Sequence, residues 1–181
     1  MLQLSIAENE FFNNETQEFI HVKPVTIQLE HSLVSISKWE AKWHKPFLTD
    51  GPKTDEEIKD YLRCMTITQN VNPDTYYGVS NAQIRQIRDY IADPMTATTF
   101  RDEPNKGKGK KQVITSEVIY YQMFALNIPM ECQKWHLNRL MTLIRVCAIK
   151  NQPEKKMNPG EITRQYADLN RARRAAMHTK G

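Results

Sequence analysis

The apolar residues of this chain change their spacing once, near residue 30, and that change sets which folds are open to it. Before it, Leu2, Leu4 and Ile6, and later Phe19, Val22, Val25, Ile27 and Leu29, alternate with polar residues. A period of two places every second side chain on one face of a strand. Asn13, Asn14, Glu15 and Thr16 lie between the two runs with turn chemistry, so the first 30 residues predict a small antiparallel β-unit. Pro24 donates no backbone hydrogen bond, which breaks the second run into two strands or puts it at a sheet edge. From Ser32 onward the step becomes three and four, with Leu33, Ile36, Glu40 and Trp43 on one side of a helix and Trp39 beside them. Pro46 stops that helix. The reading is therefore an α+β fold, mainly α, with a small N-terminal antiparallel β-unit, a helical body of about six helices and a basic C-terminal helical arm.

Capping residues punctuate the rest. Thr54 and Glu57 have the spacing of a capping box and open a helix through Ile58, Tyr61, Leu62 and Met65. Asn72-Pro73-Asp74 starts a short turn or helix that Gly78 ends, and Ser80 or Asn81 caps the next, with Ile84, Ile87 and Ile91 inward. Asp93-Pro94 closes that element. Ser116 is expected to cap Glu117 to Leu126, and Pro129 to stand at the first position of a long helix running to Ile149. On that helix Leu137, Leu140, Met141, Ile144, Cys147 and Ala148 form a core-facing stripe. A final helix opens at Asn158-Pro159-Gly160-Glu161, keeps an apolar period through Ile162, Tyr166 and Leu169, and gives way to Arg171, Arg173 and Arg174. The expected organisation is a β-unit over 1–30, a helical core domain over 31–151 with a mobile basic loop near 101–114, and the basic arm over 152–181.

Composition narrows the function classes. A chain of 181 residues with 40% hydrophobic and 25% charged residues fits one soluble domain with appendages. The net charge of +4 is concentrated at the end, where eight cations meet three acids from Lys150 to Gly181. Cys64, Cys132 and Cys147 are odd in number and far apart, so no disulfide framework is written here and a reducing compartment fits. The first residues lack the basic, apolar profile of a secretory leader, and no apolar run reaches the ~20 residues a membrane span needs. The expectation is a soluble, intracellular protein.

Candidate chemistry is sparse. Lys106, Lys108, Lys110 and Lys111 alternate with Gly107 and Gly109, but the phosphate-loop spacing is missing, which leaves a solvated loop. Cys132 and His136 offer only a two-ligand metal pair, and a hydrogen-bonded, partly buried histidine is the plainer reading. Asp55, Glu56, Glu57 and Asp60 occupy the first turns of a helix, where the dipole favours acids. Arg171, Arg173 and Arg174 could neutralise phosphates, but Tyr166 is their sole companion for base stacking. No cofactor or metal is implied, no reaction can be named, and nucleic acid is not the favoured partner.

Several strings resemble the tail assembly chaperones of long-tailed bacteriophages. They are Leu29 to Leu48 (LEHSLVSISKWEAKWHKPFL), Met95 to Phe100 (MTATTF), Ile119 to Met123 (IYYQM) and Trp135 to Cys147 (WHLNRLMTLIRVC), and the similarity covers most of the chain. The resemblance implies a non-enzymatic protein of the host cytoplasm that coats the helical tape measure protein, keeps it soluble and recruits tail tube subunits, with a homo-oligomer as one arrangement. That family often makes a short and a frameshifted long product, and a weakly packed basic end suits the short one. The implied partner surface is made of large side chains left over from the core, for which Trp39, Trp43, Tyr120, Phe124 and Trp135 are candidates, with Arg171, Arg173 and Arg174 on the arm. Each aromatic is equally a candidate for the core. Two other readings stay open: a structural virion protein of the tail or head-to-tail connector, whose β-unit adds strands to a neighbour, and a small nucleic-acid-binding regulator acting through the basic arm.

Overall fold

The alternating N-terminal residues form two antiparallel ladders nested in one bent hairpin. Strand β1 (Leu2–Ile6) pairs with β4 (Val25–Leu29), Leu4 opposite Ile27, and β2 (Asn9–Asn13) pairs with β3 (Glu18–Val22), Phe12 opposite Phe19. The break between β3 and β4 falls at Lys23-Pro24, where proline has no N–H for the ladder. Leu4, Ile6, Ile27 and Leu29 are buried while Gln3, Ser5, Thr26 and Gln28 face outward, the pattern of a sheet with one face on a core. The computed structural model describes residues 1–13, 17–49, 51–100, 113–152 and 159–177, with only the backbone described at 13, 159, 161, 162 and 165. The expected turn at Asn14, Glu15 and Thr16, the lysines of the basic loop and the cap at Asn158 lie outside the described residues.

Among the described residues there are six α-helices: α1 (Leu33–Trp43), α2 (Asp55–Met65), α3 (Asn81–Ala92), α4 (Ser116–Ala125), α5 (Leu137–Lys150) and α6 (Pro159–Met177). The fold is mainly helical α+β. Helices α1, α2 and α3 start at the capping boxes of Ser32 with Ser35, Thr54 with Glu57, and Ser80 with Gln83. In each, the cap hydroxyl satisfies a first-turn N–H that the helix itself leaves open. His44 ends α1 in the left-handed conformation, closing its last turn. A 3-10 helix, Pro73–Gly78, follows α2. It comes so close to the hairpin that a Cβ at Gly78 would sit 2.9 Å from Ile6 Cγ2, so only glycine fits there.

The chain divides into two compact units, Met1–Ala148 and Ile149–Gly181. In the first, Leu4, Ile6, Val22, Ile27 and Leu29 share one core with Leu33, Ile36, Trp39, Met65, Ile119, Met123, Leu137 and Leu140. The strands are therefore built into the helical body. The second unit begins inside the last turn of α5, three residues earlier than 152.

Two helix starts differ from expectation, and both differences arise from groups distant in sequence. Ser116 does not cap α4: among the described residues its buried Oγ has no hydrogen-bond partner, and Thr115, the N-cap, makes no side-chain cap bond. The cap comes from Glu40 of α1, whose Oε2 accepts from Ser116 N at 2.8 Å while Oε1 accepts from Phe47 N at 2.8 Å. A carboxylate at a helix N-terminus is favoured by the dipole as well as by the hydrogen bond. Glu40→Ala would strand both N–H groups and is expected to destabilise the first unit by about 2 kcal/mol. Chemical denaturation checks this, and Glu40→Gln, which keeps one accepting oxygen, should recover part of the loss.

Likewise, Pro129 does not begin a long helix. It precedes a 3-10 helix, Met130–Lys134, after which Trp135 is extended (φ −72, ψ 161) and α5 starts at Leu137. Ser32 and His136 form an isolated antiparallel bridge, and Leu137 N donates to His31 O at 2.7 Å. Those bonds hold the chain out of helix for two residues, and the stripe of Leu137, Leu140 and Ile144 enters the core after them.

Candidate functional site

Helices α1 and α2 are stitched side by side by polar atoms, and that stitching decides which aromatic rings stay available. Trp39 Nε1 donates to Glu57 O at 2.9 Å, and Trp43 Nε1 donates to Asp60 Oδ2 at 2.9 Å. Lys42 pairs with Asp60 and Lys45 with Glu57 at 2.6 Å. The hydrogen bond from Lys45 holds the Glu57 carboxyl below its usual range. The two indoles stack with centroids 6.1 Å apart, as their one-turn spacing allows. They differ in burial, however. Trp39 is 1% exposed and belongs to the core, which removes it from the candidate partner surface. Trp43 is half-buried and forms a wall of an open groove.

That groove has a volume of about 650 Å³ and is lined by Phe11, Phe12 and Ile20 from the hairpin, Lys42 and Trp43 from α1, Glu56, Lys59, Asp60 and Arg63 from α2, and Tyr77. Aromatic and charged side chains line it in about equal measure. Asp60 is already matched by Lys42 and Trp43, which leaves Lys59 and Arg63, one turn apart on α2, against Glu56. Lys59 Nζ lies 4.7 Å from the Tyr77 ring, a cation held against an aromatic face. The hairpin continues the aromatic surface outward: Phe12 and Phe19, 46% and 62% exposed, meet edge to face at 5.1 Å. A concave groove that combines aromatic rings with fixed charges is a candidate binding site.

The remaining candidates scatter. Tyr120 is half-buried and its hydroxyl donates to Gln133 Oε1 at 2.9 Å. Phe124, one turn on, points outward and is 64% exposed. Trp135 is half-buried beneath the Arg139 guanidinium, 4.3 Å from its ring centre. Arg171, Arg173 and Arg174 are exposed on α6, and Arg171 pairs with Asp168 at 3.4 Å. Of the predicted residues, then, Trp39 and Trp43 meet one another but only Trp43 reaches the groove. Phe11, Phe12, Ile20 and Tyr77 were not singled out, and the alternation of the hairpin carries no sign of what its outer rings face.

Buried titratable groups are taken up by the fold. His31 and His136 are 2% and 6% exposed, with rings 5.2 Å apart. His31 Nδ1 is hydrogen-bonded to the Tyr61 hydroxyl at 2.5 Å. His136 donates from Nε2 to Tyr90 O at 3.0 Å, and its Nδ1 accepts from Asn138 N at 3.3 Å. Both ring nitrogens of His136 are thus used by the backbone, one of them in capping α5, and the Cys132–His136 pair has no free imidazole to offer a metal. Burial, with His136 close by, lowers the His31 pKa to about 4. Burial likewise pushes the Cys64 thiol up to about 11 and raises the Cys132 thiol, so neither is poised as a nucleophile.

Comparison with protein-family models, with curated proteins and with solved structures returns no match. Among the described residues, no helix is long and apolar enough to cross a membrane.

Proposed function

We propose that this chain is a non-enzymatic assembly factor that seats an apolar helical segment of a partner protein in the groove over Trp43. The observation that carries this reading is the groove itself, lined by four aromatic rings and five charged side chains, in a body whose buried acids and histidines are engaged in structural bonds. The phage-like strings supply the setting. There the occupant is the tape measure protein, the place of action is the host cytoplasm, and tail tube subunits are the second partner. One of those strings contributes to the groove: Leu29 to Leu48 contains Lys42 and Trp43.

Coexpression with the tape measure protein tests the proposal. The partner should become soluble and copurify, and Phe12→Asp, at an exposed ring on the groove wall, should weaken the complex by about tenfold or more, the scale of one interface anchor. A partner that stays insoluble and uncaptured beside the intact chain would end this reading. A stoichiometric amount of the chain in purified particles would favour a structural virion role instead.

A further inference from the structure

Helix α1 ends at Trp43, and His44 turns the chain away in the left-handed conformation. Trp39, one turn earlier, is held by its bond to Glu57 O and by the Phe47 ring. The Trp43 ring is half-buried at the end of the same helix. An indole has a single polar atom, the Nε1–H, and that atom only donates. A half-exposed ring has more than one staggered rotamer open to it, so the bond that this atom makes selects among them.

The two indole bonds run side by side between α1 and α2. Trp39 and Trp43 are four residues apart on one helix, and Glu57 and Asp60 are three apart on the other, so the bonds cross one turn from each other. The first ends on a backbone oxygen, Glu57 O, which no substitution removes. The second ends on a side-chain oxygen, Asp60 Oδ2, at 2.9 Å. Asp60 is itself well fixed, being 7% exposed with its Oδ1 accepting from Lys42 Nζ. As a carboxylate it is also a stronger acceptor than a neutral group.

We propose that Asp60 is the positioning residue of the groove, fixing through Oδ2 the orientation in which the Trp43 ring lines it. Both residues line the groove beside Phe11, Phe12 and Tyr77. Without the carboxylate the indole N–H loses this acceptor in a half-buried place, and the ring turns to another rotamer to reach water. The groove then loses one of its rings. An amide at position 60 keeps one accepting oxygen. Lys42, with a side chain 57% exposed, then turns to solvent and leaves that oxygen to the indole. The consequence for binding rests on the function proposed above, whereas the positioning stands apart from it.

Heteronuclear NMR of the indole N–H groups tests the positioning with no partner present. The chain has three tryptophans, and Trp43→Phe identifies the signal of Trp43. In the parent this N–H should exchange with water about tenfold or more slower than that of free indole. Asp60→Ala should move the signal toward the free-indole position and bring its exchange close to the free rate, with the Trp135 signal unmoved. Asp60→Asn should restore most of the protection. Capture of the tape measure protein should follow the ring, about tenfold weaker with Asp60→Ala, the scale of one interface anchor, and largely recovered with Asp60→Asn. Exchange as fast as free indole in the parent, a Trp43 signal that stays in place in Asp60→Ala, or a displaced signal with parental capture would overturn the proposal. The parent measurement needs no variant, so the test holds even where Asp60→Ala does not fold. An intact chain that captures no tape measure protein would end the proposed function, while the indole signals would still decide the role of Asp60.

Discussion

Trp39→Ala is expected to destabilise the first unit by about 3–5 kcal/mol, the range for removing a large buried aromatic side chain. The indole is 1% exposed, stacks on Trp43 at 6.1 Å and meets Phe47 edge to face at 5.1 Å. Its loss opens a cavity between α1, α2 and the loop that follows α1, and it removes the Nε1 bond to Glu57 O. Trp39→Phe keeps most of the apolar contact and drops only that bond, so it should lose about 1–2 kcal/mol. Urea unfolding followed by far-ultraviolet circular dichroism measures both. A Trp39→Ala protein as stable as the parent, yet unable to bind a partner, would return the residue to the surface role that its sequence position also allowed.

Stability should also fall steeply in mild acid, and His31 is the main cause. Its folded pKa lies at about 4 against an ordinary 6.5, because burial disfavours the imidazolium and His136 stands beside it. Above 6.5 neither the folded nor the unfolded chain protonates this ring, and stability is complete. As pH drops below 6.5 the unfolded chain gains a proton that the folded chain cannot take up, so stability declines until about pH 4. At about 1.4 kcal/mol per pH unit, the loss is about 3 kcal/mol. Glu57, held below 4.5 chiefly by Lys45, acts in the same direction lower down, since its contribution is present above 4.5 and lost as pH falls through its folded value. Unfolding free energies taken from pH 7.5 downward should therefore slope between 6.5 and 4, and His31→Asn should flatten that slope. Equal slopes in parent and variant would remove His31 as the cause.

Helix starts were legible wherever the capping group sits within three residues of what it caps. Thr54 and Ser80 each bond their own first turn, where spacing placed a cap, and Ser32 caps α1 at the point where the apolar period changes. Where the cap arrives from elsewhere, spacing misled: Ser116 looked like a cap, but Glu40, 76 residues away, does the capping. The same holds at Trp135 and His136, placed in the expected long helix from Pro129, which stay out of it while Ser32 bridges to His136 and His31 O accepts from Leu137 N. Local propensity yields to a long-range backbone bond there.

The candidate site was legible in part. Trp43 was marked by its size and position, but nothing in a one-turn spacing distinguishes it from Trp39. The difference is made by neighbours: Phe47 and α2 close over Trp39, while the hairpin stands back from Trp43 and leaves a groove. On α4, Tyr120 and Tyr121 are adjacent and must point about 100° apart on a helix, so one ring of the pair had to look away from the core. Packing decides which of them is exposed: Tyr121 is 71% exposed, while Tyr120 is half-buried.

By itself the sequence determined the class of fold. The switch of apolar period at residue 30, the three local caps and Pro24 are short-range features, and hydrogen bonds closed within a few residues fix element type and boundary whatever lies beyond. Only the tertiary structure decided which large side chains are core and which are surface, where α5 begins, and what caps α4. Those outcomes depend on groups brought together from distant parts of the chain, whose burial and pairing are properties of the packed body and not of any one segment.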